Sequence, residues 1–176
     1  DQQCDEYVEW ESEAEAVAVA KRLRESGKPF LLLGGGSNLL LTKDFAGTVT
    51  TPAKRFDISV IMDCETNQPS LRCWAGTTFD DVVSYAVRHG YHGLENLSLI
   101  PGECGASAVQ NIGAYGVEAK DLIVQVETLS CRTGEARLFQ VDECGYAYRR
   151  SIFKEELKGQ YIVTYVTYRL SKQPCY

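Results

Sequence analysis

Positive charge is in short supply: 18 Lys and Arg stand against 24 Asp and Glu, for a net charge of −6. No basic stripe interrupts that balance, so nucleic acid and anionic membrane are not expected partners. Histidine is scarcer still, with His89 and His92 the two in 176 residues. Neither has a cysteine at ligand spacing, so no metal site is expected; His89 falls at a helix end, where a cation suits the dipole. There is no C-x-x-C pair. The seven cysteines (Cys4, Cys64, Cys73, Cys104, Cys131, Cys144 and Cys175) are odd in number and irregular in spacing. That fits the reduced thiols of a cytoplasmic protein better than a disulfide framework. No apolar run reaches membrane-spanning length and no leader-like segment opens the chain, so a soluble protein is expected. The chain begins at Asp1 without Met, as a fragment or processed chain would. Repeats and low-complexity tracts are missing too. So are both common nucleotide signatures, G-x-x-x-x-G-K-[ST] and G-x-G-x-x-G, which rules out a mononucleotide P-loop and a Rossmann fingerprint.

What the chain does contain is two glycine-rich loops. The first follows an apolar run: Phe30 to Leu33, then Gly34-Gly35-Gly36-Ser37-Asn38, then Leu39 onward. Three glycines remove the side chains that would hold a phosphate away, and Ser37 and Asn38 add polar groups. The second runs from Leu99 to Gly116, with four glycines, Pro101 and a single charged residue, Glu103. Such backbone turns sharply and presents N–H groups to an anion. Pro101-Gly102 reads as a turn, and Ser107 as the cap of a helical turn over 108–112. Either loop alone is equally well read as plain surface. Two together suggest a dinucleotide whose pyrophosphate needs holding.

Around these loops the pattern is α/β. Glu6 to Trp10 alternates as a strand does. Ser12-Glu13-Ala14-Glu15 is a capping-box pattern, and Ala16, Val17, Ala20 and Leu23 follow as an apolar helix face, closed by Gly27 and Pro29. Strands are expected over 30–33 and 47–51, and the short helix-to-strand link favours parallel pairing. Beyond them come a strand over 70–74 and a helix capped by Thr77 or Thr78. That helix should carry Asp80 and Asp81 in its first turn, bury Phe79, Val82, Val83, Ala86 and Val87, and end at Gly90. A hairpin is expected over 122–130 and 136–141 through Thr133-Gly134, then a short helix over 151–157. Gln160 to Leu170 is the clearest strand, apolar on both faces and therefore central. The predicted class is α+β with two lobes. A small parallel α/β lobe spans about 1–53, and a larger lobe with a mainly antiparallel sheet and helices spans about 54–172.

Four motifs in order make the chain resemble the FAD-binding domain of the UDP-N-acetylenolpyruvoylglucosamine reductases. They are G-G-G-S-N (34–38), G-L-E-N-L-S-L-I-P-G (93–102), G-A-S-A-V-Q-N-I-G-A-Y-G (105–116) and Y-R-R-S-I-F-K (148–154). The resemblance implies a flavin-binding fold of the p-cresol methylhydroxylase or vanillyl-alcohol oxidase type over residues 1–176. It implies that Leu33, Gly34, Gly35, Gly36, Ser37, Asn38 and Leu39 wrap the FAD pyrophosphate together with Ile100, Pro101, Gly102, Gly105, Ala106 and Ser107. Asn111, Gly113, Ala114 and Gly116 would lie along the flavin, and Val163 near it. Neither histidine falls in a matching motif, so FAD is expected to be non-covalent.

In that family NADPH reduces FAD, and hydride then passes to the enolpyruvyl double bond of the UDP-sugar, giving UDP-N-acetylmuramate for peptidoglycan. Arg149 matches the family's catalytic arginine; a fork of fixed donors suits a carboxylate becoming enolate-like. Tyr148 is a second candidate for substrate contact, and Arg150 reads as structural. The sequence departs from the family where an N-T-F segment should precede the first strand. It also lacks a later G-S-F-F-K-N-P-like motif with the proton-donating serine, and an acidic residue near the C-terminus. These 176 residues are therefore expected to bind FAD and not to turn over substrate. Another flavin oxidase or dehydrogenase of the same fold, or a non-redox nucleotide-binding module, are the alternative readings.

Overall fold

Ser12 starts the first helix through its side chain: its Oγ accepts from the Glu15 amide at 3.1 Å. This computed structural model describes residues 2–34 and 40–174; Gly35, Gly36, Ser37, Asn38 and Leu39, all expected at the cofactor, lie outside the described residues. The helix, α1 (Glu13–Ser26), ends at Gly27, whose φ of 63° few other residues would accept. The second half of the capping box is shifted by one residue, because Glu15 Oε2 accepts from the Glu11 amide at 2.7 Å rather than from Ser12. The buried face is Ala16, Val19, Ala20 and Leu23. Val17, expected on it, is 38% exposed. It follows Ala16 by about 100° of helix rotation, whereas Val19 sits one turn along the same face.

β1 (Cys4–Trp10), β2 (Phe30–Leu32) and β3 (Phe45–Pro52) form a parallel sheet in the order β1-β3-β2. The larger sheet is antiparallel. It takes β4 (Ile58–Met62), β5 (Pro69–Trp74), β8 (Ile123–Ser130), β9 (Ala136–Gln140) and β10 (Tyr161–Arg169) in the order β4-β5-β10-β8-β9. The expected α+β class, with one small parallel sheet and one larger antiparallel sheet, is the class observed. β10 occupies the centre, as its two apolar faces required. β4 is an edge strand that the sequence reading missed. Two short strands between them, β6 (Gly113–Ala114) and β7 (Val117–Glu118), pair only with each other.

The larger sheet is covered on both faces. One face carries Arg72, Trp74 and Tyr165. Arg72 makes a two-point ion pair with Glu127 (2.6 and 2.8 Å), lies 3.5 Å over the Tyr165 ring, and reaches Glu13 of α1 at 3.6 Å. Trp74 stacks edge-on with both Trp10 and Tyr165. The other face carries Cys73, Val166 and Tyr168, with Tyr168 edge-on to Phe79 of α2 (Phe79–Arg88). One continuous set of buried side chains therefore joins α1, both sheets and α2.

Three local expectations fail. Thr78 occupies the N-cap of α2 but makes no side-chain cap bond, while Thr77 is buried and donates to the Arg55 carbonyl at 2.9 Å. Val87 is 54% exposed, since the buried face stops at Ala86. Residues 152–160 form consecutive turns rather than a helix. Among the described residues six cysteines are free, four of them buried. Burial pushes Cys131 up to about 11 and Cys144 up to about 12, so both stay protonated and serve as packing groups.

Candidate functional site

A seven-residue helix, α3 (Cys104–Gln110), is the axis of the site. Its N-terminal end is fixed by a strip of backbone. The Cys104 amide donates to the Thr77 carbonyl at 2.9 Å, and the Gly105 amide to the Ala75 carbonyl at 3.0 Å. Gly76, between those two acceptors, passes so close to the end of the parallel sheet that a Cβ there would stand 2.0 Å from the Ala53 carbonyl oxygen. The first glycine loop meets α3 at this same end. A Cβ on Gly34 would lie 2.8 Å from Ala106 Cβ, so only glycine permits the approach. Leu33 just before it is anchored to the Thr50 carbonyl at 2.9 Å. The two loops, about 70 residues apart in sequence, thus converge at Gly34 and Ala106.

Several expected residues gather here and several turn elsewhere. Leu33, Gly34, Ile100, Gly102 and Ala106 are partly exposed around the junction, and Gly105 is buried against Ala75. Gly102 has a φ of 122° and its carbonyl accepts from the Phe79 amide at 2.9 Å. Pro101 is exposed. Ser107 does not cap a helix, because α3 starts three residues earlier, after Glu103. Its hydroxyl turns into the core, donating to the Cys104 carbonyl (2.7 Å) and meeting Tyr168 Oη at 2.6 Å, and its amide donates to the Glu103 carbonyl. Its polar groups are occupied within the protein.

The C-terminal end of α3 holds a second loop. A helix leaves its last carbonyls without intrahelical partners. Two side chains from the following motif take them: Tyr146 Oη donates to the Ala108 carbonyl at 2.8 Å, and Ser151 Oγ to the Val109 carbonyl at 2.6 Å. Burial pushes the Tyr146 phenol far above its usual value, so it remains a donor. Asn111, fully buried with φ 46°, donates to the Ala147 carbonyl at 2.8 Å and accepts from the Lys120 amide at 3.0 Å. Asn111 therefore ties the turn to α3.

Between these anchors Ala147 and Arg150 exchange backbone hydrogen bonds across a tight turn, with Tyr148 and Arg149 at its tip. Tyr148 is 79% exposed, and Arg149 is exposed with φ 49°. Arg150 is neutralised by Glu156; Arg149 has no ion-pair partner among the described residues. Beside this turn, Tyr115 and Gly116 both have positive φ at the tip of the β6–β7 hairpin, with Gly113 and Ala114 half-buried. Val163, 9% exposed, belongs to the core within β10.

Ser151→Ala should cost about 1–2 kcal/mol, since it leaves the half-buried Val109 carbonyl without its donor. A urea midpoint shift would show this, and an unchanged midpoint would mean the 146–151 segment is not pinned as described. Sequence reasoning missed Tyr146, Ser151 and the buried Glu103. Tyr146 and Ser151 carried no signal beyond lying near Arg149, and Glu103 stood out as a lone charge; neither says where a side chain points.

The family model described as FAD binding domain matches residues 5–138. The UDP-N-acetylenolpyruvoylglucosamine reductase of Bacteroides fragilis is 53% identical over 148 residues, covering 84% of this chain and 44% of that protein. The crystal structure of the corresponding reductase from Thermus caldophilus superposes with a TM-score of 0.73 at 28% identity, covering 96% of this chain and 56% of that one. The 6-hydroxy-D-nicotine oxidase of Arthrobacter nicotinovorans shares the fold, with a TM-score of 0.70 at 18% identity over 97% of this chain and 37% of that one. The chain spans about half the length of the curated relatives it matches.

Proposed function

We propose a function from one premise: the chain belongs to the FAD binding domain family. On our reading it is the FAD-binding portion of an NADPH-dependent reductase. That enzyme converts UDP-N-acetylenolpyruvoylglucosamine to UDP-N-acetylmuramate, a step in making peptidoglycan precursors in the cytoplasm. The observation that carries the reading is α3. One end of it meets the first glycine loop, and the other presents Arg149 on a pinned turn. Seven residues of helix rise about 10 Å, which separates a cradle for the cofactor's diphosphate from a cation for the substrate.

The described residues fit FAD. Gly34 and Gly105 let the first loop close on Ala106 and the second on Ala75, and glycine-rich backbone brought together in this way is the kind that presents N–H groups to a diphosphate. Residues Leu33 to Leu39 and Ile100 to Ser107 are proposed to hold the diphosphate, with Gly113, Ala114 and Gly116 nearer the ring system. Asn111 acts by fixing the Ala147 carbonyl. A non-covalent cofactor is supported by both histidines being engaged elsewhere: His89 Nδ1 lies 2.8 Å from the Tyr85 carbonyl and His92 Nδ1 2.8 Å from Glu95.

When bound, the flavin supplies the hydride chemistry. The chain's own contribution is orientation and charge. Arg149 is fixed by backbone on both sides and lacks a competing carboxylate among the described residues. Its fork is proposed to grip the substrate carboxylate as negative charge spreads from the double bond. Tyr148 beside it is proposed to contact the UDP-sugar. Lobes of about 1–53 and 54–172 remain our proposed division of the domain.

Titration of the purified chain with FAD, followed by flavin fluorescence, tests the reading. Saturable quenching with one site per chain is expected. By itself the 176-residue chain should not oxidise NADPH in the presence of the enolpyruvyl substrate. A chain that ignores FAD would overturn the proposal.

A further inference from the structure

Glu103 is the one charged side chain buried among the described residues, at 6% exposure. It lies at the junction of the two glycine loops. Its Oε2 is 3.3 Å from where a Gly34 Cβ would stand, and its Oε1 is 3.9 Å from Lys54 Nζ. Lys54 points into water, with 76% of its side chain exposed. Its backbone is held firmly, because the Ala53 amide before it donates to the Trp10 carbonyl at 2.9 Å and Gly76 abuts the Ala53 carbonyl.

A carboxylate beside a diphosphate cradle repels the ligand, and the low-dielectric surroundings of a buried group strengthen that repulsion. An acidic chain offers no compensating field. A cation placed between the two anions offsets that repulsion. Arg55, next in sequence, is committed elsewhere: it lies 4.2 Å over the Trp74 ring and pairs with Asp57 at 3.0 Å.

We propose that Lys54 is a diphosphate-binding residue aimed by Glu103. The buried carboxylate holds the ammonium at the mouth of the junction, and the ammonium bridges that carboxylate and the ligand's phosphate oxygens. Three N–H donors on one flexible stem allow both contacts at once. The proposal rests on the reading of the junction as the FAD cradle.

Lys54→Met and Lys54→Arg test it by binding alone. FAD and riboflavin are titrated into the wild-type chain and both variants, with inorganic pyrophosphate as competitor. The methionine variant should bind FAD about tenfold more weakly, as expected for a lost charged contact. Pyrophosphate should displace FAD from it less effectively, and riboflavin, which carries no phosphate, should bind as before. The FAD difference should shrink at 1 M salt, where the screening length is about 3 Å. The arginine variant should recover most of the affinity. A methionine variant that binds FAD within twofold of wild type, or loses riboflavin in proportion, overturns the assignment. A wild-type chain that binds no FAD would instead overturn the reading beneath it.

Discussion

Arg149→Gly, placed in a reductase that carries this segment, should lower kcat for substrate reduction by about 10²–10³ while leaving the protein as stable or slightly more so. The combination follows from the backbone. Arg149 has φ 49°, where a side chain is strained by about 1–2 kcal/mol. Glycine relieves that strain, and the gain is offset in part by its greater freedom in the unfolded chain. A net change between zero and about 1 kcal/mol in favour of folding is expected. Arg149 has no carboxylate to lose among the described residues, since Arg150 takes Glu156, and its contact with the exposed Tyr148 ring, at 5.8 Å, is a weak one. FAD affinity should stay within twofold. Arg149→Lys should recover only part of the rate, because an ammonium cannot make the two-point contact. Steady-state kinetics, an FAD titration and a urea curve on the same preparations check all three. A glycine variant that loses stability and FAD together would show Arg149 to be a structural residue.

Gly76→Ala should have the largest effect on folding, about 3 kcal/mol or more, a large share of the roughly 5–15 kcal/mol that typically holds a domain together. The added Cβ would sit 2.0 Å from the Ala53 oxygen and 2.9 Å from Trp74 Nε1. Both are backbone or buried groups with nowhere to go. Trp74 is fully buried, and its indole N–H donates to that same Ala53 carbonyl at 3.0 Å. Relief by moving the strip would break the bonds from Cys104 and Gly105 to Thr77 and Ala75, and so displace α3. FAD affinity should fall with stability. A urea midpoint unchanged within error would mean the parallel sheet and the 75–77 strip are less closely packed than described.

Local signals with their own chemistry were legible in the sequence. Ser12 and Gly27 bracket α1, and the Val-Thr-Tyr run of β10 is central because neither face could tolerate water. The glycines at 34 and 105 read as room for a phosphate, and what the fold brings against them is Ala106 and Ala75. Signals that depend on distant partners were not legible. β4 reads Ile-Ser-Val-Ile-Met, with apolar groups on both faces, yet it is a half-exposed edge. Ser107 looks like a cap in sequence but its hydroxyl answers to Tyr168, 61 positions on. Glu103 stood out as a lone charge, and only the fold shows that it is buried beside Gly34.

The position of β10 also sets a timetable. β5 is complete at residue 74 and β8 at residue 130, yet both must wait for residues 161–169 to gain their shared neighbour. At about 5–20 residues per second, a ribosome takes roughly 5–20 s to move from the end of β5 to the end of β10. Through that interval the growing chain carries the β4–β5 hairpin, joined after residue 140 by β8–β9, each with an open edge where β10 belongs. Nascent chains stalled before residue 161 should therefore be captured by chaperones and cut by proteases, and chains stalled well past it should not. The strand that joins the two halves of the sheet is also the one on which the newborn protein waits.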